Sequence, residues 1–252
     1  MKPVALITGG QRGIGFGIAQ SLRDAGYNLA LTSERPPDDT EVTQALEELG
    51  PSARYRQHDL RDTAAVKSLL DGFEQEFGPL TAFVSNAGVP AHVRGDMLDL
   101  ASESFDLAMD VNLKGGFFLA QEVARRMCAA PGDTYRSLIF VTSVSAEMVS
   151  VERAEYCISK AAASMMSRLF AARLAAEGIG VFELRPGIIE TDMTAAVRDR
   201  YDNRIRDGLV PARRWGQPDD IASIVRALTS GQMAYATGAV IPVDGGLSIQ
   251  RL

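Results

Sequence analysis

Seven short apolar runs, separated by longer amphipathic stretches, constrain this chain more than any other feature. The runs cover residues 4–8, 29–32, 53–57, 80–85, 137–142, 180–184 and 239–243. In Leu138-Ile139-Phe140-Val141 the apolar residues do not alternate with polar ones, which marks a strand buried on both faces. Between the runs, helical periodicity predicts helices over residues 14–23, 40–49, 64–77, 102–111, 113–129, 155–176 and 218–229. Strands alternating with helices build βαβ units. The expected class is therefore α/β: a doubly wound, mostly parallel seven-stranded sheet with helices on both faces. No linker or repeat interrupts the 252 residues, and about 250 residues suit a single α/β domain. One domain over 1–252 is expected. The stretch 188–214 breaks the rhythm: it is charged and carries mixed helical signals. We read it as a substrate lid, anchored by Pro186-Gly187 and Trp215-Gly216.

Charge and cysteine usage exclude several function classes. Lys and Arg number 26 against 32 Asp and Glu, a formal net charge of −6. No basic face stands out, so a nucleic-acid partner is not expected. Cys128 and Cys157 have no metal-ligand spacing to each other or to His58 and His92, so neither a metal site nor a disulfide framework is expected. No run of 18 apolar residues suggests a membrane span, and the start becomes glycine-rich too early for a signal peptide. A cytoplasmic protein is the expectation.

The first apolar run ends in Thr8-Gly9-Gly10-Gln11-Arg12-Gly13-Ile14-Gly15 and opens the first helix. Glycines tolerate positive φ and admit a pyrophosphate close to the main chain. The helix start supplies unpaired N–H groups and a positive dipole end. Gly9, Gln11, Arg12, Gly13, Ile14 and Gly15 are thus candidate dinucleotide contacts. The spacing differs from the commonest Gly-x-Gly-x-x-Gly fingerprint. About 20 residues on, the end of the second strand discriminates between cofactors: acidic for NAD, basic for NADP. Ser33 occupies that place, with Arg12 and Arg35 as flanking cations, which favours NADP(H). A one-residue shift puts Glu34 there and leaves NAD(H) open.

Tyr156 and Lys160 stand at i and i+4, on one face of a helix. A free tyrosine ionises near pH 10 and is a poor base at neutrality; moving it to about 7 takes roughly 4 kcal/mol of preferential phenolate stabilisation. A neighbouring ammonium supplies part of that. Upstream, Ser143 ends the fifth apolar run. In a parallel sheet its strand end shares an edge with the glycine turn, so its hydroxyl would reach a substrate oxygen beside Tyr156. Asn112 interrupts a helical stretch where asparagine is disfavoured, and would mark a kink holding a buried water.

These residues together resemble the short-chain dehydrogenase/reductase family, nearest its 3-oxoacyl-thioester-reductase-like subgroup. The resemblance runs from Val4 to Leu247. It rests on Thr8-Gly9 with Gly13 and Gly15, Asp59, Asn86-Ala87-Gly88, Asn112, Ser143, Tyr156, Lys160, Pro186-Gly187, Thr191 and Asp244-Gly245-Gly246. It implies strand order 3-2-1-4-5-6-7, an NAD(P)(H) cofactor and a homotetramer built on the helices that begin near Leu113 and Glu155. Asp59 and Leu60 would flank the adenine, and Asn86, Ala87 and Gly88 the adenosine ribose. Pro186, Gly187, Ile189 and Thr191 would border the nicotinamide or the phosphates. Asn112 would hold a water leading to Lys160, and Lys160 would also bind the nicotinamide ribose. The implied reaction moves a hydride between the nicotinamide and a carbonyl or secondary alcohol, with a 3-oxoacyl thioester as one candidate. The alternatives are an NAD-dependent polyol or alcohol dehydrogenase and a regulator without turnover. The intact Ser143, Tyr156 and Lys160 argue against the regulator. Ser85 departs from the family, which often has asparagine there.

Overall fold

Alternate side chains of strand β1 (Val4–Thr8) serve two cores. Val4 and Leu6 pack into one, Ala5 and Ile7 into the other, and all four are fully buried. Burying a residue of this size contributes about 1.5–3 kcal/mol, so a strand apolar on both faces belongs at a sheet's centre. In the computed structural model, which describes residues 2–130, 132–195 and 198–251, β1 lies there. Its neighbours are β2 (Asn28–Ser33) and β4 (Ala82–Ser85). Outside them lie β3 (Ala53–Gln57), β5 (Arg136–Val141), β6 (Ile179–Pro186) and β7 (Val240–Val243). Every pairing is parallel, in the order β3-β2-β1-β4-β5-β6-β7, as expected from the sequence.

Helices cover both faces. On one, α1 (Gly13–Asp24), α2 (Thr40–Leu49) and α9 (Pro218–Thr229) contribute Ile18, Leu22, Leu49, Ile221 and Val225. On the other, α3 (Val66–Phe77), α5 (Gly116–Ala129) and α6 (Ala154–Leu174) contribute Leu70, Phe73, Leu119, Val123 and Met166. Strand ends differ from expectation by one residue in several strands and by two residues in two places. β4 starts at Ala82, and β6 runs on to Pro186 because it keeps pairing with β7 as far as Pro186 against Val243. The two helices expected over 102–111 and 113–129 are one helical run. In it α4 (Ser102–Met109) passes through a wide π turn, Asp110–Gly115, into α5.

The stretch after β6 holds two short helices, α7 (Asp192–Ala195) and α8 (Arg198–Arg206). Residues 196 and 197 of the expected lid lie outside the described residues. Its two ends are stitched together: Ile189 bridges Gly216, the Glu190 N–H donates to Gly216 O at 2.9 Å, and the Gly216 N–H donates to Ile188 O at 3.0 Å. No helix among the described residues is long and apolar enough to cross a membrane.

Candidate active site

The carboxyl ends of β1, β2, β4, β5 and β6 meet along one edge, where a cleft of about 1150 Å³ opens. The glycine turn forms one wall. Gly9 and Gly13 adopt φ of +67° and +53°, which side chains disfavour. A Cβ on Gly15 would stand 2.1 Å from the Gly9 carbonyl oxygen, so glycine lets α1 press directly on the turn. Gly15 therefore shapes the wall from behind and does not line it. Thr8 laces β1 to β4. Its Oγ1 accepts the N–H groups of Asn86 and Ala87, both at 2.9 Å, and its carbonyl accepts Asn86 Nδ2 at 3.0 Å. This explains why Asn86, Ala87 and Gly88 sit on the cleft wall. Gln11 is buried, and its Oε1 has no partner among the described residues.

Beyond the turn, Asp59 and Leu60 line the cleft beside His58. Burial holds His58 below its ordinary pKa of 6.5, so it is neutral, and its Nε2 is buried without a partner. Hydrogen bonds from Arg61 hold the Asp59 carboxyl below the usual carboxylate range. A cleft of this size fits a dinucleotide, with a glycine wall and two orphaned polar atoms, Gln11 Oε1 and His58 Nε2.

The cofactor-discriminating end of β2 differs from the sequence reading in detail. Ser33 and Glu34 line the cleft, whereas Arg35 does not. Arg35 turns to Asp39 at 3.4 Å and Glu34 at 3.7 Å. The buried Ser33 hydroxyl is bonded to the Tyr55 hydroxyl at 2.8 Å. Burial pushes the Tyr55 phenol up, so it stays protonated. Arg12 lines the cleft and also pairs with Glu41 at 3.4 Å.

Ser143, Tyr156 and Lys160 line the cleft together, with Pro186, Gly187, Ile189 and Thr191 nearby. Ser143 Oγ accepts the Ser145 N–H at 3.0 Å, which leaves its own hydrogen for another acceptor. Lys160 Nζ lies 5.7 Å from the centre of the Tyr156 ring and donates to Val141 O at 3.3 Å. Asn112 sits behind this wall, inside the π turn. Its Oδ1 accepts the Val89 N–H at 2.7 Å, and Nδ2 donates to Val89 O and Ser159 Oγ, both at 3.0 Å. A Cβ on Gly88 would stand 2.9 Å from Asn112 Oδ1 and 3.5 Å from Lys160 Nζ, so glycine keeps these two groups adjacent.

Two features escaped the sequence reading. Glu183 and Arg185 are buried on one face of β6. Glu183 Oε1 accepts from Thr142 at 2.7 Å and from Arg185 at 2.7 Å, while its Oε2 accepts from Ser164 at 2.8 Å. This network fixes the residue before Ser143 to β6 and α6. Opposite charges two apart in an otherwise apolar run, Val181-Phe182-Glu183-Leu184-Arg185, were the available signal. The second is Arg153, whose guanidinium carbon lies 5.6 Å from the centre of the Tyr156 ring on the cleft wall. Nothing in its spacing announced that contact. His92 is exposed and off the cleft.

Residues 9–248 match the family model described as Enoyl-(Acyl carrier protein) reductase. The chain is 34% identical over 248 residues to the 3-oxoacyl-[acyl-carrier-protein] reductase MabA of Mycobacterium tuberculosis, covering 97% of this chain and 92% of that protein. Its fold is similar to a 3-oxoacyl-[acyl-carrier protein] reductase from Brucella melitensis in complex with NAD. There the TM-score is 0.95 at 45% identity, over 100% of this chain and 99% of that one. It is also similar to a gluconate 5-dehydrogenase from Burkholderia cenocepacia in complex with NADP and tartrate. That match has a TM-score of 0.89 at 30% identity, over 100% and 97%.

Proposed function

This chain belongs to the short-chain dehydrogenase/reductase family and is an NAD(P)-dependent oxidoreductase acting on a carbonyl or secondary alcohol; from that premise, we propose which residues do the chemistry. The observation that carries the reading is the convergence of Ser143, Tyr156 and Lys160 on one cleft with the glycine turn. Gly9, Gln11, Arg12, Gly13 and Ile14 would hold a nicotinamide dinucleotide, which would supply or accept the hydride. In reduction, the Tyr156 hydroxyl gives its proton to the carbonyl oxygen as negative charge builds there. The free hydrogen of Ser143 donates to the same oxygen. In oxidation, Tyr156 takes the proton back. Lys160 places an ammonium beside the ring, held there by the Val141 carbonyl. Both amide hydrogens of Asn112 are committed, so only a remaining lone pair on Oδ1 is left for a water leading to Lys160.

For the cofactor we infer NAD(H) over NADP(H). Arg35 is withdrawn from the cleft, the Ser33 hydroxyl is engaged by Tyr55, and the Glu34 carboxylate lines the site. A carboxylate there repels a 2′-phosphate and accepts from ribose hydroxyls. Among the relatives, the Brucella structure holds NAD and the Burkholderia structure NADP. The names of the relatives offer two substrate classes, 3-oxoacyl thioesters and hydroxy acids. The segment between the Ile188 and Gly216 stitches, with Leu209 and Met193 on the cleft, acts as the substrate lid. An exposed apolar face on α5 and α6, carrying Phe118, Ile158, Met165 and Leu169, supports a homotetramer. Two free thiols fit a reducing cytoplasm.

The test is Tyr156→Phe, which keeps the ring and removes the proton donor. Turnover in a carbonyl panel falls at least ~100-fold, while cofactor binding, followed by nicotinamide fluorescence, changes little. Near-normal turnover would reject the assignment.

A further inference from the structure

The cleft carries charge that neither the cofactor nor the proton transfer uses. Apart from the groups assigned above, its charged lining consists of Arg94, Arg153, Arg200 and Arg204 against Glu152 and Asp192. Three of these residues connect to Glu152 through the main chain or the side chain. The Gly95 N–H, next to Arg94, donates to the Glu152 carbonyl at 3.3 Å, and Arg200 reaches the Glu152 carboxylate at 4.0 Å. Arg153 follows Glu152 in the chain. Glu152 thus joins the main chain beside Arg94 to the Arg200 side chain, with Arg153 as its neighbour in sequence.

Arg153 is the closest of them to the chemistry. Its guanidinium stacks 5.6 Å from the centre of the Tyr156 ring. Its hydrogen-bond partners are hydroxyls, Ser150 Oγ at 3.4 Å and Ser145 Oγ at 3.5 Å. Among the described residues it has no carboxylate partner, although it is half-buried. A guanidinium that is partly removed from water, and held by long bonds to neutral hydroxyls, keeps most of its planar donor edge for an anion. Arg153 also shares the ring of the residue that protonates the substrate. An anion it binds is therefore close to the reacting carbonyl, on the same small molecule. The phosphate of a carrier-bound thioester does not meet that condition, because a long pantetheine arm separates it from the carbonyl.

Resting on the assignment of Tyr156 as proton donor, we propose that the substrate is a small oxo acid or hydroxy acid. Its own carboxylate binds Arg153 while its carbonyl or hydroxyl meets Tyr156 and Ser143. Arg94 and Arg200 line the same cleft, Arg200 paired with Glu152.

The test uses matched probes: pyruvate, acetoacetate and levulinate, each beside its ethyl ester. The acids step the carboxylate away from the ketone, and the esters remove the charge. The expected result is at least one acid favoured over its ester by about 10- to 100-fold in kcat/KM, the scale of a charge-assisted hydrogen bond. Arg153→Leu brings that ratio close to one, and Arg153→Lys keeps part of it. A purely structural role for Arg153, or a role only in stacking on Tyr156, lowers acid and ester alike and leaves the ratio unchanged. That outcome, or esters equal to acids throughout, overturns the proposal. If Tyr156→Phe abolishes turnover while no acid preference exists, the proton-donor assignment stands and the carboxylate site falls. If no probe turns over, the enzyme–cofactor complex is titrated with the same pairs. Tighter binding of an acid that depends on Arg153 supports the site, and its absence overturns it.

Discussion

Glu34 has the side chain with most to say about which cofactor enters the cleft. Ser33, the neighbouring hydroxyl, is buried against Tyr55, and the nearest cation, Arg35, is off the cleft and shared between Asp39 and Glu34. Replacing Glu34 by Arg removes the repulsion and adds a phosphate partner. The preference for NAD over NADP, read as the ratio of the two kcat/KM values, should fall at least ~10-fold. A wild-type preference for NADP would show that Arg12 dominates this end of the site. Sequence position alone placed Ser33 and Glu34 on the cleft. It did not reveal where Arg35 points, because two nearby carboxylates compete for that guanidinium, Glu34 beside it and Asp39 at the N-cap of α2. The same holds for Arg153. Its contact with Tyr156 arises from an irregular turn at Val151–Arg153 just before α6, and no periodicity encodes that turn.

Helix α9 begins where the stretch after β6 ends, and its first turn is held by charge. Asp220 accepts the Gln217 N–H at 2.7 Å, and its two oxygens take Arg214 at 2.7 and 2.8 Å. Hydrogen bonds from Arg214, then from Gln217, pull the Asp220 carboxyl down from 3.8 to about 2. A depressed carboxylate stabilises the fold fully above its ordinary pKa and loses that contribution as pH falls through the folded value. Asp220→Asn should therefore melt below wild type at neutral pH. The gap should narrow between pH 3.8 and about 2, as followed by thermal unfolding across pH. A gap that stays constant to pH 2 would mean the carboxylate charge is irrelevant there. Elements of this kind were legible from sequence: α2 and α9 have the expected bounds, because Pro218, the acidic first turn and apolar periodicity agree. The π turn at Asp110–Gly115 was legible only as a misplaced asparagine. A widened turn is a backbone solution to packing, here Gly115 against the Leu60 carbonyl, where a Cβ would stand 2.3 Å away.

At the scale of the whole molecule, α5 and α6 present Phe118, Ile158, Met165 and Leu169 to solvent, each between 41% and 60% exposed. Large apolar side chains exposed to this degree on two helices are often covered. Leu169→Asp should shift the mass measured by light scattering from a tetramer to a smaller species. A wild-type monomer would overturn the tetramer reading. The sheet carries a different consequence, one for the chain as it is being made. β1 is hydrogen-bonded on one side to β2, close in sequence, but on the other to β4, where Val4 meets Thr81 across 77 residues. During translation that second edge stays open until β4 has left the ribosome, and an apolar strand with an unpaired edge is where nascent chains stick to one another. The lacing of Thr8 to Asn86 forms at the same moment. Pairing with β4 therefore closes the open edge of β1 and joins the glycine turn to Asn86 in one event, while the Ser143, Tyr156 and Pro186 side of the cleft follows later in synthesis. Slow, non-local strand pairing sets the timing of that event.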